Sequence, residues 1–366
     1  MVVKWLLTSK RRIARQFSRS FAVSKRLHVC FCGITIKKLY FRGEFKMFLC
    51  PSCKKEMNLP ECSCGYKIER KSSVWQLSDM PDIVKDGDGD KYIGYEEIGE
   101  EYSGNRKYIL EEDDVIFAAE VSAHTGDGVF LDLACGDGCF TVPCAANGTR
   151  VIAGDISNRM LSILQGKALH NGVSLENVTL CRMNVLNIPL SNECVDVAVA
   201  NSVLHLISNP EKVMDEIYRV LKPGGAFMCL DDAPGKQEAE ALDNARYFEI
   251  VNSLYAEYWK RLGTYGIKPQ KYSWYFNRSA ACDALFRTKT EKRISRSGTY
   301  ELPLCDAFLP RFCGRGFSDQ TDVPKDVHDG VVAQLMEEFR KKYGNDFATT
   351  PFRGIYDDIM ITIYTK

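Results

Sequence analysis

The stretch VFLDLACGDG, residues 129–138, decides the fold of this chain. A run of apolar residues meets Asp132 and then enters a turn with glycines at alternate positions, Gly136 and Gly138. Such a run predicts a buried strand, and a glycine turn after a strand lets the backbone come close to a ligand. The stretch therefore predicts a ligand site at the end of a strand.

Strands and helices alternate from residue 126 onward. The apolar runs predict strands at residues 128–134, 150–156, 177–183, 194–200 and 225–231. The helical spacing of apolar residues predicts helices at residues 141–147, 158–171, 211–221 and 327–343, and a last strand at 357–365 should be antiparallel. This alternation indicates a parallel sheet, in which ligands bind beyond the carboxyl ends of the strands.

Two cofactors are candidates for the glycine turn. A dinucleotide fold needs G-x-G-x-x-G, and here the third glycine is missing. Asp132 precedes the turn, and its carboxylate would repel a pyrophosphate but attract an ammonium group. S-adenosylmethionine has an ammonium and a sulfonium and no phosphate, so the turn favours it. Asp155, at the end of the second strand, suits ribose hydroxyls.

Three motifs together carry a family resemblance: LDLACGDG (131–138), the acid in AGDIS (153–157) and EIYRVLKPGG (216–225). With residues 181–207, they resemble the class I S-adenosylmethionine-dependent methyltransferases of the type 11 group. The resemblance covers about residues 126–232. It implies a Rossmann-like α/β fold, with a seven-stranded, mostly parallel sheet and helices on both faces.

The resemblance also implies roles for individual residues. Asp132 would orient the methionine ammonium, and Asp155 would hold the ribose. Asn184 replaces the usual aspartate at the adenine amino group, and Asn201 would line the methionine end. The full set of expected cofactor-binding residues is Asp132, Ala134, Gly136, Gly138, Asp155, Ile156, Asn184, Val185 and Asn201.

His205 is the candidate catalytic residue. It lies where many relatives have a histidine close to the methyl acceptor. A lone histidine is more often structural, and a base is required only when the acceptor must lose a proton.

Four cysteines precede the main domain: Cys50, Cys53, Cys62 and Cys64 in CPSCKKEMNLPECSCG. Two close pairs joined by a short polar loop predict one tetrahedral, structural zinc ion. The second pair has one intervening residue where zinc ribbons usually have two. The alternative is four free surface thiols.

The acidic stretch DGDGDKYIGYEE (86–97) places Asp86, Asp88, Asp90 and Glu97 at the offsets of an EF-hand loop. Lys91 replaces the glycine that such a loop requires. We interpret the stretch as an acidic turn, with a calcium site as the alternative.

The charge is unevenly distributed. Residues 1–46 carry a net charge of +11 and the remaining residues −11. The basic segment is either a targeting or membrane-surface segment, or sequence from a start codon assigned too early. An acidic body argues against a broad phosphate-binding surface. The chain has no apolar run long enough to span a bilayer, and its scattered cysteines suit a reducing, cytoplasmic location.

The expected organisation has six parts: a basic extension (1–46), a zinc-ribbon-like module (47–72), a helical connector (73–125), the S-adenosylmethionine-binding core (126–232), an inserted helical lid over the acceptor (233–354) and the last strand of the sheet (355–366).

The acceptor should be set by the insertion, whose residues 233–300 are rich in aromatics. Aromatic walls suit a small-molecule acceptor, aromatic or quinone-like, or an unpaired base; the same side chains could instead pack the insertion's own core. The aromatics are Tyr247, Phe248, Tyr255, Tyr258, Trp259, Tyr265, Tyr272, Trp274, Tyr275 and Phe276.

Two other functions remain open. A zinc module before a methyltransferase domain is also the layout of the ribosomal RNA guanine-N1 methyltransferases, although the second cysteine pair lacks their spacing and a histidine ligand. A binding protein that only senses the cofactor is the third possibility. The sequence leaves the oligomeric state undetermined.

Overall fold

The computed structural model describes residues 47–78, 93–207, 209–232, 243–269, 276–296, 298–320, 322–355 and 358–366. The basic extension at residues 1–46 lies outside this part of the chain. So does the acidic turn at Asp86, Asp88 and Asp90, so the calcium alternative stays untested.

The N-terminal module consists of short strands. β1 (Phe48–Leu49) and β2 (Glu56–Met57) form an antiparallel pair, and so do β3 (Arg70–Lys71) and β4 (Val74–Gln76). The second pair continues the main sheet of the protein. The strand Val74–Gln76 lies at the start of the expected helical connector (73–125), whose other described elements are helical.

Two helices lead into the main domain. They are α1 (Ile93–Ser103) and α2 (Glu112–Thr125), with a 3-10 turn at Gly104–Tyr108 between them. α2 packs against the sheet through Phe117, which is fully buried.

The core alternates strands and helices. Its elements are β5 (Val129–Leu133), α3 (Thr141–Ala146), β6 (Arg150–Asp155), α4 (Asn158–His170), β7 (Val178–Arg182), β8 (Val195–Ala200), α5 (Pro210–Val220) and β9 (Leu221–Asp232). A 3-10 turn at Leu204–Leu206 follows β8. The five strands are parallel, in the order β7-β6-β5-β8-β9. Every residue of β5 is buried, as expected for a strand covered on both faces.

The C-terminal part adds helices and four strands. Its elements are α6 (Ala245–Thr264), α7 (Arg278–Leu285), β10 (Thr288–Ile294), β11 (Thr299–Pro303), α8 (Leu304–Ala307), α9 (Leu309–Cys313), α10 (Lys325–Tyr343), α11 (Asp346–Thr349), β12 (Pro351–Ile355) and β13 (Ile359–Thr365), with a 3-10 turn at Ser318–Gln320. β11 and β12 pair with each other, away from the main sheet.

The main sheet has nine strands in the described residues, in the order β10-β13-β9-β8-β5-β6-β7-β4-β3. The Rossmann-like, mostly parallel α/β fold is confirmed, and β13 runs antiparallel to β9. The seven expected strands run from β7 to β10, and β3 and β4 extend this sheet beyond the β7 edge. β10, inside the expected lid, is the other edge strand.

Three apolar cores hold these layers together. One lies on the sheet face covered by α2 and α4, and a second lies on the face covered by α5 and includes the N-terminal module. The third lies within the insertion and is centred on aromatic residues of α6 such as Tyr255 and Tyr258. In the described part of the chain, no helix is both long and apolar enough to cross a membrane.

Candidate active site

A cavity of about 970 Å³, counting its open mouth, lies beyond the carboxyl ends of β5, β6 and β8. This is the edge at which parallel α/β sheets bind ligands. Its described lining residues are Tyr95, Tyr102, Asp132, Ala134, Cys135, Gly136, Asp137, Cys139, Phe140, Asp155, Ile156, Met160, Met183, Val185, Asn201, Ser202, Val203, Leu206 and Ile207. They include three aspartates and no lysine, arginine or histidine.

The turn after β5 has three residues in the left-handed region at alternate positions: Ala134 (φ 51°), Gly136 (φ 54°) and Gly138 (φ 81°). A Cβ on Gly136 would meet nothing closer than the Met160 methyl at 3.5 Å, so this glycine leaves backbone open toward the cavity. A Cβ on Gly138 would lie 2.5 Å from Leu164 of α4. Gly138 therefore permits helix packing, and it is not among the lining residues.

Ala134 has a left-handed conformation that costs a residue with a Cβ about 1–2 kcal/mol. We expect Ala134→Gly to raise the free energy of unfolding by up to about 1 kcal/mol, because relief of this strain outweighs the extra entropy of unfolded glycine. Ala134→Val should lower it by about 1–2 kcal/mol. Urea unfolding measures both, and a glycine variant less stable than the wild type would contradict this account.

Asp132 is a buried carboxyl in the middle of this edge, with an exposed fraction of 2%. The Thr141 hydroxyl donates to it at 2.6 Å. Burial raises its pKa to about 7 despite that hydrogen bond, and the nearby Asp155 carboxylate adds to the rise. A positively charged ligand group beside Asp132 would offset this cost.

Asp155 is the last residue of β6, on the other side of the turn. It hydrogen-bonds both to the turn and to the segment that follows β6. Its carboxylate oxygens accept from the backbone N–H groups of Gly136 and Ser157, each at 2.9 Å. Burial raises its pKa to about 6, against the effect of these hydrogen bonds. Each oxygen keeps a lone pair for a further donor, such as a hydroxyl.

Seven of the nine expected cofactor-binding residues line the cavity: Asp132, Ala134, Gly136, Asp155, Ile156, Val185 and Asn201. Asn184 does not. Its side-chain oxygen accepts from the Leu186 N–H at 2.9 Å and shapes the loop instead. His205, on the 3-10 turn after β8, is partly buried and also absent from the lining, so its role as a base stays a prediction.

α1 contributes a wall that the sequence did not indicate. Tyr95 and Tyr102 line the cavity with ring centroids 4.8 Å apart, edge to face. Glu96, one residue on, accepts from the Ser157 hydroxyl at 2.7 Å and from the Arg159 N–H at 3.1 Å. α1 is thereby fixed to the start of α4. The sequence signal that could have predicted this wall is the spacing of the two tyrosines on one amphipathic segment.

The described residues of the insertion do not reach this cavity, so the expected lid over the acceptor stays a prediction. None of its described residues is among the lining residues. Tyr247, Tyr255 and Tyr258 are buried in the insertion's own core, and Tyr265 is exposed. Tyr272, Trp274 and Tyr275 lie outside the described residues. Helices α6 and α10 thus share a core within the insertion, whereas α7 and β10 belong to the core and the sheet of the main domain.

The four cysteines of the N-terminal module are brought together. All four sulfur atoms lie within 4.8 Å of one another, with Cys50–Cys64 at 3.7 Å and Cys53–Cys62 at 3.5 Å. Tetrahedral zinc with Zn–S bonds of about 2.3 Å would place its ligand sulfurs about 3.8 Å apart. The donor set and its spacing therefore fit zinc.

Comparison with known proteins gives matches mainly to the core. Residues 131–229 match the model of a methyltransferase domain, Methyltransf_11. A demethylmenaquinone methyltransferase of Symbiobacterium thermophilum is 32% identical over 118 residues, which are 31% of this chain and 46% of that protein. An uncharacterized protein of Methanocaldococcus jannaschii is 28% identical over 182 residues, 47% of this chain and 82% of that protein.

Solved structures give a weaker likeness. The crystal structure of the YcgJ protein of Bacillus subtilis covers 69% of this chain and 98% of its own, with 17% identity and a TM-score of 0.39. The chain spans about half the length of the demethylmenaquinone methyltransferases it matches. The matched region contains the turn, both buried aspartates and strands β6 to β8. Residues 131–229 of the chain are therefore similar to a type 11 methyltransferase domain.

Proposed function

We propose that this protein transfers the methyl group of S-adenosylmethionine to a small-molecule acceptor. The observation that carries the proposal is the pair of buried carboxyls, Asp132 and Asp155, on the two sides of a left-handed turn and facing one cavity. The match of residues 131–229 to a methyltransferase domain supports it. The absence of basic residues from the described lining disfavours a phosphate-bearing cofactor.

In this proposal the residues around the turn bind and orient the cofactor. Asp132 pairs with the methionine ammonium, Asp155 accepts from the ribose hydroxyls, and the Val185 N–H donates to the adenine ring. When bound, the cofactor supplies a methyl group on a sulfonium, which is already an activated leaving group. The protein then mainly has to position the acceptor and exclude water.

The acceptor side of the cavity favours a neutral aromatic molecule, such as a phenol or a quinone-like ring. Tyr95 and Tyr102 offer aromatic faces, and Val203, Leu206 and Ile207 are apolar. The three lining aspartates would repel an anionic acceptor. The relative named as a demethylmenaquinone methyltransferase supports the same class.

A methyl-transfer assay tests the function. We expect labelled methyl from S-adenosylmethionine to enter a reduced quinone or phenol, and Tyr102→Ala to lower kcat/KM for that acceptor about tenfold by removing part of the aromatic wall. Tyr265→Ala, at a tyrosine that is 60% exposed, is the matched control and should leave kcat/KM unchanged. Equal effects of the two substitutions would contradict the assignment of Tyr102.

Ribosomal RNA is the competing acceptor and belongs in the same assay. Some basic residues of the N-terminal module already form ion pairs, Lys67 with Glu61 at 3.4 Å and Lys71 with Glu69 at 3.6 Å. These pairs reduce the positive charge available to a phosphate backbone. Label entering RNA rather than the small acceptor would overturn the small-molecule proposal and support the RNA alternative.

We also propose that Cys50, Cys53, Cys62 and Cys64 bind one structural zinc ion. The sulfur spacing supports it, and Gly65 (φ 86°) completes the tight turn after the closely spaced second pair. Four thiolate ligands stay available in a reducing compartment, which supports a cytoplasmic location.

A further inference from the structure

We propose that the zinc module positions one wall of the cofactor cavity, so that zinc binding and S-adenosylmethionine binding are energetically coupled. The wall is the segment 183–191, called here the cavity loop. It contains Met183 and Val185, which line the cavity. The inference rests on the proposed function and on the proposed zinc site, and it assigns the metal a role in the binding of the cofactor.

The first connection is between β1 and the end of the cavity loop. The Leu49 N–H donates to the Pro189 carbonyl at 3.0 Å, and the Ser191 N–H donates to the Met47 carbonyl at 2.8 Å. Phe48 and Leu190 form an antiparallel bridge between these bonds. Cys50, a zinc ligand, directly follows Leu49. The metal would therefore be bound by the residue that directly follows the backbone holding the loop.

The second connection is between β4 and the start of the cavity loop. β4 pairs in parallel with β7, placing Trp75 opposite Cys181 and Gln76 opposite Arg182. The Leu77 N–H extends this pairing to the Arg182 carbonyl at 3.0 Å. The next residue, Met183, donates its N–H to the Asp155 carbonyl at 2.9 Å. Both ends of the loop are thus attached to the module.

A side-chain contact joins the module to the start of α4, which follows Asp155 in the chain. The Gln76 side-chain amide donates to the Asn158 side-chain oxygen at 3.1 Å, at the first residue of α4. The same module therefore contacts α4, which follows the proposed ribose site, and the strand β7, whose next residue Met183 bonds to Asp155. A shift of β4 would change the position of both.

Apolar packing joins the metal ligands to the same wall. Cys50 and Cys62 have exposed fractions of 0% and 3%, and both belong to the core that contains Met183 and Val185. Close-packed interiors transmit displacements rather than absorb them. The four strands of the module contain only two or three residues each, too little to fix its conformation without the ion.

The test compares zinc-loaded and chelator-treated full-length protein. We expect one zinc ion per chain and a dissociation constant for S-adenosylmethionine that rises about tenfold or more after zinc removal, within the usual range of coupling between sites. Hydrogen exchange should increase at residues 183–191 and stay unchanged at 195–200, the buried strand β8. Equal affinity with and without zinc would overturn the proposal.

Variants separate the metal from the connection. Cys62→Ser combined with Cys64→Ser should lose zinc and reproduce the tenfold effect, while Cys305→Ser, a cysteine of the insertion, should change neither. Gln76→Ala should keep zinc but weaken cofactor binding about threefold, by loss of the side-chain hydrogen bonds between Gln76 and Asn158. A Gln76 variant indistinguishable from the wild type would overturn the side-chain connection.

A failure of this inference can be distinguished from a failure of the proposed function. Wild-type protein that holds zinc but binds no S-adenosylmethionine would refute the proposed function, while hydrogen exchange at residues 183–191 would still decide whether the metal holds the loop. Wild-type protein that holds no zinc would refute the metal site and this inference together. Loss of protection at residues 195–200 as well as in the loop would show general unfolding and overturn a specific positioning role.

Discussion

Asp155→Ala is expected to weaken S-adenosylmethionine binding about 100-fold, as measured by calorimetry. The substitution removes two acceptors for the proposed ribose hydroxyls, and hydrogen bonds to a charged group contribute about 1.5–3 kcal/mol each. It also releases the N–H groups of Gly136 and Ser157, which the carboxylate now holds at 2.9 Å. The turn and the start of α4 would both lose their fixed position.

Asp215→Asn is the matched control for this substitution. Asp215 lies on α5, exposed and outside the lining residues of the cavity. The Asp215→Asn variant should bind the cofactor with the affinity of the wild type. Unchanged binding by a folded Asp155→Ala variant would contradict the placement of the cofactor at this strand end.

Asp132→Asn is expected to make the cofactor-free protein more stable and cofactor binding weaker. Because the native pKa of Asp132 is raised to about 7, the native state holds a proton that the unfolded state releases above about pH 4. Stability is therefore lost as pH rises from about 4 to about 7, and the neutral amide avoids this loss. We expect a gain of about 1–3 kcal/mol at pH 8 and at least tenfold weaker binding.

The control for stability is Asp358→Asn. Asp358 is also buried, but it accepts from the Arg293 side chain at 2.6 Å and from the Arg296 N–H at 2.8 Å. Removing this charge should lower stability at pH 8, the opposite sign to Asp132→Asn. A destabilised Asp132→Asn variant, or one with wild-type affinity, would show that Asp132 has a structural role instead.

The raised pKa values of the same two carboxyls predict how cofactor binding depends on pH. Burial raises the pKa of Asp132 to about 7 and of Asp155 to about 6, so both are partly protonated in mildly acidic solution. A cationic ligand binds the ionised form, so affinity should rise about tenfold from pH 6 to pH 7.5. The ligand's own amino group stays largely protonated in that range.

The core was predictable from sequence because its strands are buried on both faces. β5 and β6 therefore appear as largely apolar runs, and the acids near their carboxyl ends, Asp132 and Asp155, stand out against them. β10 was not predictable in this way. Six of its seven residues are exposed at the sheet edge, so its sequence TKTEKRI shows no apolar pattern.

Two other features were not predictable, because the sequence pattern does not show which surface a side chain faces. The aromatic residues of the insertion predict a packed apolar surface, but composition does not tell whether they face the cavity or one another. Tyr255 and Tyr258 pack within the insertion. Conversely, Tyr95 and Tyr102 line the cavity although α1 lies outside the matched region, because tertiary contacts such as those of Glu96 with the start of α4 place them there.

The most direct test of the account is a calorimetric titration of the full-length wild-type protein with S-adenosylmethionine. We expect saturable binding with one site per chain, since one cavity holds both carboxyls and the left-handed turn. A protein that is folded by circular dichroism and shows no saturable binding would contradict the methyltransferase proposal.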